Sequence, residues 1–130
     1  MLTNADATLF IKTVRSGVET WERRVVRNVS WFSTMDAQLV NGGMAKVRSL
    51  ALRIPEDADF GGAQYVPPHE WTGAEGTWTL RGGDLVARGI VNMPTGGMRA
   101  LAAECAEMMS VTGISDNRRG GLPHWKVVGK

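Results

Sequence analysis

The stretch Trp21–Phe32 (WERRVVRNVSWF) alternates without a break. Trp21, Arg23, Val25, Arg27, Val29 and Trp31 share one face of an extended chain. Glu22, Arg24, Val26, Asn28, Ser30 and Phe32 share the other. A period of two sustained this long describes a half-buried β-strand and is incompatible with a helix. The run exceeds the common strand length, so a bend or bulge is expected within it. A long strand needs partners on both edges, and the flanking sequence supplies candidates.

Residues 7–15 (ATLFIKTVR) are apolar and β-branched, suiting a first strand. Residues 45–54 alternate again, with Leu50, Leu52 and Ile54 on one face, and Pro55 ends the run. Residues 56–76 show little periodicity and read as a long irregular excursion, with a short extended piece at Gln64–Val66. Thr77–Arg81 and Asp84–Val91 flank Gly82-Gly83 and read as a tight hairpin. Residues 98–109 carry the one helical stripe: Met98, Leu101, Ala102, Cys105 and Met109. Strand character returns at 110–116, a turn-rich basic loop follows over 116–122, and His124–Val128 is the last strand. The expected fold is mainly β, a small β-barrel or sandwich with long loops and one short α-helix. The 130 residues fit a single domain spanning 1–130.

Charge is unevenly spread. Residues 1–54 hold eight Lys/Arg and four Asp/Glu, whereas residues 55–80 hold five acids and no base. Eleven of the fifteen bases are arginine, the side chain best shaped for carboxylates and phosphates. A basic face and an acidic segment on one small domain suit nucleic-acid contact or head-to-tail self-association. The candidate contacts are Arg23, Arg24, Arg27, Arg118 and Arg119 on the basic side, and Glu56, Asp57 and Asp59 on the acidic side. One cysteine excludes an intrachain disulfide. No apolar run is long enough to span a bilayer, and the opening MLTNADATLF lacks the basic-then-apolar order of a secretory leader. No membrane association is expected.

Catalytic signatures are missing. The sequence has no GxSxG, HExxH, Walker A or GxGxxG pattern. His69, His124 and Cys105 are not at metal-ligand spacing. Cys105 sits on the apolar stripe as a structural thiol, and Asp84 is placed to bond the backbone of its own turn. No cofactor or metal is expected, and no catalytic residue is assigned. Trp21, Trp31, Trp71, Trp78 and Trp125 interleave with arginines, which permits an OB-like single-strand-binding surface. Trp31, Trp78 and Trp125 lie in alternating apolar runs, which favours core or interface anchoring.

Several segments resemble one family: Leu2–Phe10 (LTNADATLF), Trp21–Trp31, Leu52–Pro55, Tyr65–Pro68 with Trp71, Trp78–Gly89 (WTLRGGDLVARG) and Thr112–Lys130 (TGISDNRRGGLPHWKVVGK). Together they are similar to the head-completion proteins of tailed phages and prophages, also described as head-closure or minor capsid proteins. The resemblance implies a small β-barrel without enzymatic activity. It implies a hexameric or dodecameric ring in the virion neck that closes the head and retains packaged DNA. The implied partners are other copies of the chain, the portal or adaptor protein, a tail or tail-terminator protein, and DNA contacted without sequence reading. The chain would pass through the host cytoplasm during assembly. A tail-terminator or tail-tube component is the related structural alternative.

Overall fold

Eight strands make up most of the computed structural model, which describes residues 3–40 and 42–130, with backbone alone at 15, 34–40 and 44–48. They are β1 (Ala5–Arg15), β2 (Val18–Val40), β3 (Gly43–Pro55), β4 (Gln64–Tyr65), β5 (Thr77–Trp78), β6 (Leu85–Arg88), β7 (Met108–Asn117) and β8 (His124–Gly129). Leu2 and the alternation expected over 45–48 fall outside the described residues and side chains. Six strands form a closed barrel in the order β1-β2-β3-β8-β7-β6. All its pairings are antiparallel, and the ring closes because short β6 bonds to both β1 and β7.

β2 serves two neighbours in turn. Its first part lies against β1 and its second part against β3. The joint is a bulge: Ala5 faces Val29 while Ala7 faces Val26, so β2 carries one extra residue there. Asn28 takes φ 64°, the left-handed region that asparagine tolerates better than most residues, and donates its backbone N–H to Asp6 Oδ1 at 3.1 Å. The bulge reverses the strand's faces. Val26 points into the barrel before it, and Val29 and Trp31 point in after it. The unbroken alternation read from the sequence is therefore corrected: Val25 and Val29 do not share an environment. An inserted residue moves every later side chain to the opposite face.

The interior is filled. Leu9 and Ile11 of β1, Val29 and Trp31 of β2, Leu50, Leu52 and Ile54 of β3, and Trp125 and Val127 of β8 are all buried in one cluster. Each such side chain contributes about 1.5–3 kcal/mol on leaving water. Strand alternation sends Phe10 the other way, into a second cluster on the outer wall with Ala87 and Leu101. Trp21, Leu85, Met98, Cys105 and Met108 pack around it, so the segment between β6 and β7 is held flat against the barrel.

Two local expectations fail for the same reason. The helix expected over 98–109 is a 3₁₀ turn at Met98–Ala100 running into one α-turn, α1 (Leu101–Glu104). Met108 and Met109 pair with Ala87 and Val86 instead of continuing it. The hairpin expected over 77–91 does not form either. Gly82-Gly83 does make a turn, with Gly83 at φ 96°, but its arms diverge. β5 pairs in parallel with β4, while β6 is taken by β1 and β7. In both places long-range pairing overrides a local pattern. The short extended piece at 64–66 is present as β4, and the Pro55 stop holds.

Candidate functional site

β3 and β6 stand opposite each other in the ring, so the chain joining them has to cross the barrel's end. The acidic excursion is that crossing, and it acts as a lid. Arg27 and Asp59 exchange backbone hydrogen bonds of 2.8 and 3.1 Å, which fixes the lid to the free edge of β2. Gln64 N–H reaches Gly76 O at 2.8 Å and Val66 N–H reaches Trp78 O at 2.9 Å. Phe60 stacks on Trp78 with centroids 5.2 Å apart and meets Trp125 edge-on at 5.8 Å. Tyr65 lies 5.0 Å from Trp78 and 5.1 Å from Trp125. Aromatic pairs of this kind add about 0.5–1.5 kcal/mol each beyond burial. The lid's aromatic underside is thus part of the core, and its carboxylates stay outside.

The candidate arginines do not form one surface. Arg23 Nε donates to Val91 O at 2.7 Å and pins the outer segment. Arg24 donates from Nε to Thr77 O at 2.8 Å and from Nη2 to Ala74 O at 3.2 Å, tying β2 to the lid. Both are internal clamps. Arg118 makes a two-pronged bond to Asp116, 2.9 Å from Nε and 2.8 Å from Nη2. Its guanidinium also lies 4.8 Å above the Trp125 ring and 5.3 Å from that of Tyr65. The Arg118 bond holds the Asp116 carboxyl below its ordinary pKa, and the same bond raises that of Arg118. Burial, then the Asp116 charge, raises the Tyr65 hydroxyl. Arg27 and Arg119 keep exposed side chains. Glu56, Asp57 and Asp59 are exposed at the rim of the lid. Of these, Asp59 caps the turn through its own carboxylate, which accepts Gly61 N–H at 2.9 Å.

The remaining candidates have structural positions. Asp84 is buried, and its carboxylate accepts Arg81 N–H at 2.9 Å and Lys12 N–H at 3.0 Å. Burial raises its pKa despite those donors. Cys105 Sγ donates to Leu101 O at 3.1 Å, and burial raises its pKa too. No three metal-ligating side chains cluster among the described residues. No helix among them is long and apolar enough to cross a membrane. Trp31, Trp78 and Trp125 are buried, while Trp21 and Trp71 pack half-buried against the two clusters. None of the five tryptophans is exposed.

One surface escaped the sequence reading. Register places Phe32, Ala51 and Val128 in one row across β2, β3 and β8, and Ser30, Arg53 and Lys126 in the next. The Arg53 guanidinium lies 5.3 Å over the Phe32 ring. The pairing of β3 with both β2 and β8 unites these residues, and no spacing in the sequence signals the β3–β8 part.

A family model matches residues 2–130 of the chain. The chain belongs to DUF6751, a family of unknown function. No curated protein and no solved structure matches it. For this DUF6751 chain, function has to be argued from its own surfaces.

Proposed function

We propose that the protein is a non-enzymatic subunit of the tailed-phage neck. It forms a ring that closes the filled head, joins portal or adaptor to tail, and helps retain packaged DNA. The observation that carries the reading is the lidded barrel with a filled interior. Trp31, Leu52, Trp78 and Trp125 occupy the space where a ligand-binding barrel of similar build would hold its ligand. Recognition therefore falls to the outer surface, where carboxylates ring the lid and cations lie on the wall below. Sequence resemblance to head-completion proteins supports the same reading. Ring contacts of this kind rest on shape and charge and need no reacting group.

The test is imaging of intact particles of a phage or prophage encoding the chain. Density for the barrel between portal and tail, in ring symmetry, is the expected result. Density further down the tail axis would make it a tail-terminator or tail-tube component. Detection in host cytosol but not in particles overturns the proposal.

A further inference from the structure

The outer wall of the barrel is covered on one side only. The segment between β6 and β7 lies over β1, β6 and the start of β2. The wall formed by β2, β3 and β8 has no such cover among the described residues, and Phe32 and Val128 there are 37% and 38% exposed. Phe32, Ala51, Lys126 and Val128 line a shallow groove on this wall, whose other lining residues include no carboxylate side chain. Arg53 is exposed beside it, and neither Arg53 nor Lys126 makes an ion pair among the described residues.

A second patch lies further along β3 and β8, at the lid. Pro55, Glu56, Asp57, Leu122 and Pro123 surround another groove. Leu122 is 60% exposed, and Glu56 and Asp57 are exposed and likewise make no ion pair among the described residues. The patches complement each other. One presents Arg53, Lys126 and Lys130 around a mainly apolar groove, and the other presents Glu56 and Asp57 around a protruding leucine, with Arg118 near enough to Glu56 to feel its charge. Within one chain they occupy successive stretches of the same strands, so neither covers the other.

We infer that the Phe32–Arg53–Lys126–Val128 wall of one copy receives the Glu56–Asp57–Leu122 rim of another. Leu122 seats against Phe32 and Val128, and Arg53 and Lys126 meet Glu56 and Asp57. The occupant is a second copy because the charge and the apolar shape that fit the wall are both present on the chain itself. The contact joins two different patches, so repetition generates a ring when the rotation closes. This inference names the contact that the ring reading needs and rests on that reading.

The test mixes ¹⁴N- and ¹⁵N-labelled protein, joins amines to carboxylates with a carbodiimide, and identifies linked peptides by mass. The expected product joins Lys126 to Glu56 or Asp57 with one label on each side. Sedimentation should show association that weakens with salt. Arg53→Glu with Lys126→Glu, or Glu56→Lys with Asp57→Lys, should weaken it at least about ten-fold. Mixing the two variants should restore a hetero-complex. Arg53, Glu56 and Asp57 are exposed and Lys126 is half-buried, and circular dichroism verifies that the variants fold. Absence of mixed-label links, or unchanged sedimentation in both variants, overturns the contact whatever imaging finds. A two-fold dimer carrying the expected links keeps the contact and counts against the ring.

Discussion

Replacing Asp84 opens the barrel at its closing seam. β6 contributes four residues to the ring, and its pairing with β1 covers Ala7–Phe10 only. Asp84 extends that seam with a side chain where the ladder stops. Its two oxygens accept Lys12 N–H and Arg81 N–H, while Arg81 Nη2 donates to Lys12 O at 2.6 Å. Asp84→Ala leaves two half-buried donors without that partner, each at the lower end of about 1–3 kcal/mol, so the expected loss is about 2–4 kcal/mol. Asp84→Asn keeps one acceptor oxygen and should lose roughly half of that. The melting midpoint of the alanine variant should fall by on the order of 10 °C. Urea unfolding followed by tryptophan fluorescence gives the loss directly, provided the slope is unchanged. The pH dependence adds a second check. The Asp84 pKa is raised in the folded protein, chiefly by burial. The folded state then binds this proton more tightly than the unfolded chain. The stability tied to it is complete below the unfolded pKa and is lost as pH rises through the folded value. The gap between wild type and Asp84→Ala should therefore be widest in acid and narrow towards neutral pH. An alanine variant losing less than about 1 kcal/mol would refute the seam argument. A gap that widens towards neutral pH would refute the electrostatic part.

Four substitutions at three other positions probe the joints of the fold. Asn28→Gly should unfold within about 0.5 kcal/mol of wild type, while Asn28→Val should cost about 1–2 kcal/mol because a branched residue resists positive φ; urea midpoints of the pair test the bulge. Arg24→Met removes the donors to Thr77 O and Ala74 O. Amide exchange over 71–78 should then speed up at least about ten-fold while β3 and β8 stay protected, and uniform exchange would show that Arg24 does not anchor the lid. At Gly129 an added Cβ would come within 2.3 Å of both Ser110 O and Met109 Cγ. Gly129→Ala should cost about 1–3 kcal/mol by thermal unfolding, and a neutral result would mean that the last strand gives way freely.

Much of the fold is legible in the sequence because strand alternation is a local signal. Spacing alone puts Leu50, Leu52 and Ile54 on one face, and all three are buried. The three tryptophans that read as anchors, Trp31, Trp78 and Trp125, are all buried. What spacing cannot convey is which strand pairs with which. The failed hairpin at 77–91 and the truncated helix at 98–109 both lie where a distant strand competes for the same residues. The length of the run predicts a bulge, but its position at Asn28 depends on Asp6, twenty-two residues away. Among the candidate site residues, Arg23 and Arg24 resemble surface charges in a list of residues. The structure uses them as clamps because backbone carbonyls of Val91, Thr77 and Ala74 come within their reach.

The topology explains why the acidity gathers at one end of the molecule. A meander of β1-β2-β3 followed by one of β6-β7-β8 closes into a ring only if the link between them crosses an open end. Such a link must bury apolar residues beneath it and remain soluble above. Phe60 and Tyr65 meet the first demand by stacking on Trp78 and Trp125. Glu56, Asp57, Glu70 and Glu75 meet the second, all of them exposed. The lid's acidity thus has a folding role of its own. Glu56 and Asp57 follow directly on the end of β3, the strand that carries Arg53 and pairs with that of Lys126, so one barrel fixes their spacing. A rigid scaffold with opposite charges held in register is what a repeated contact between identical subunits requires, since little ordering entropy is lost when they meet.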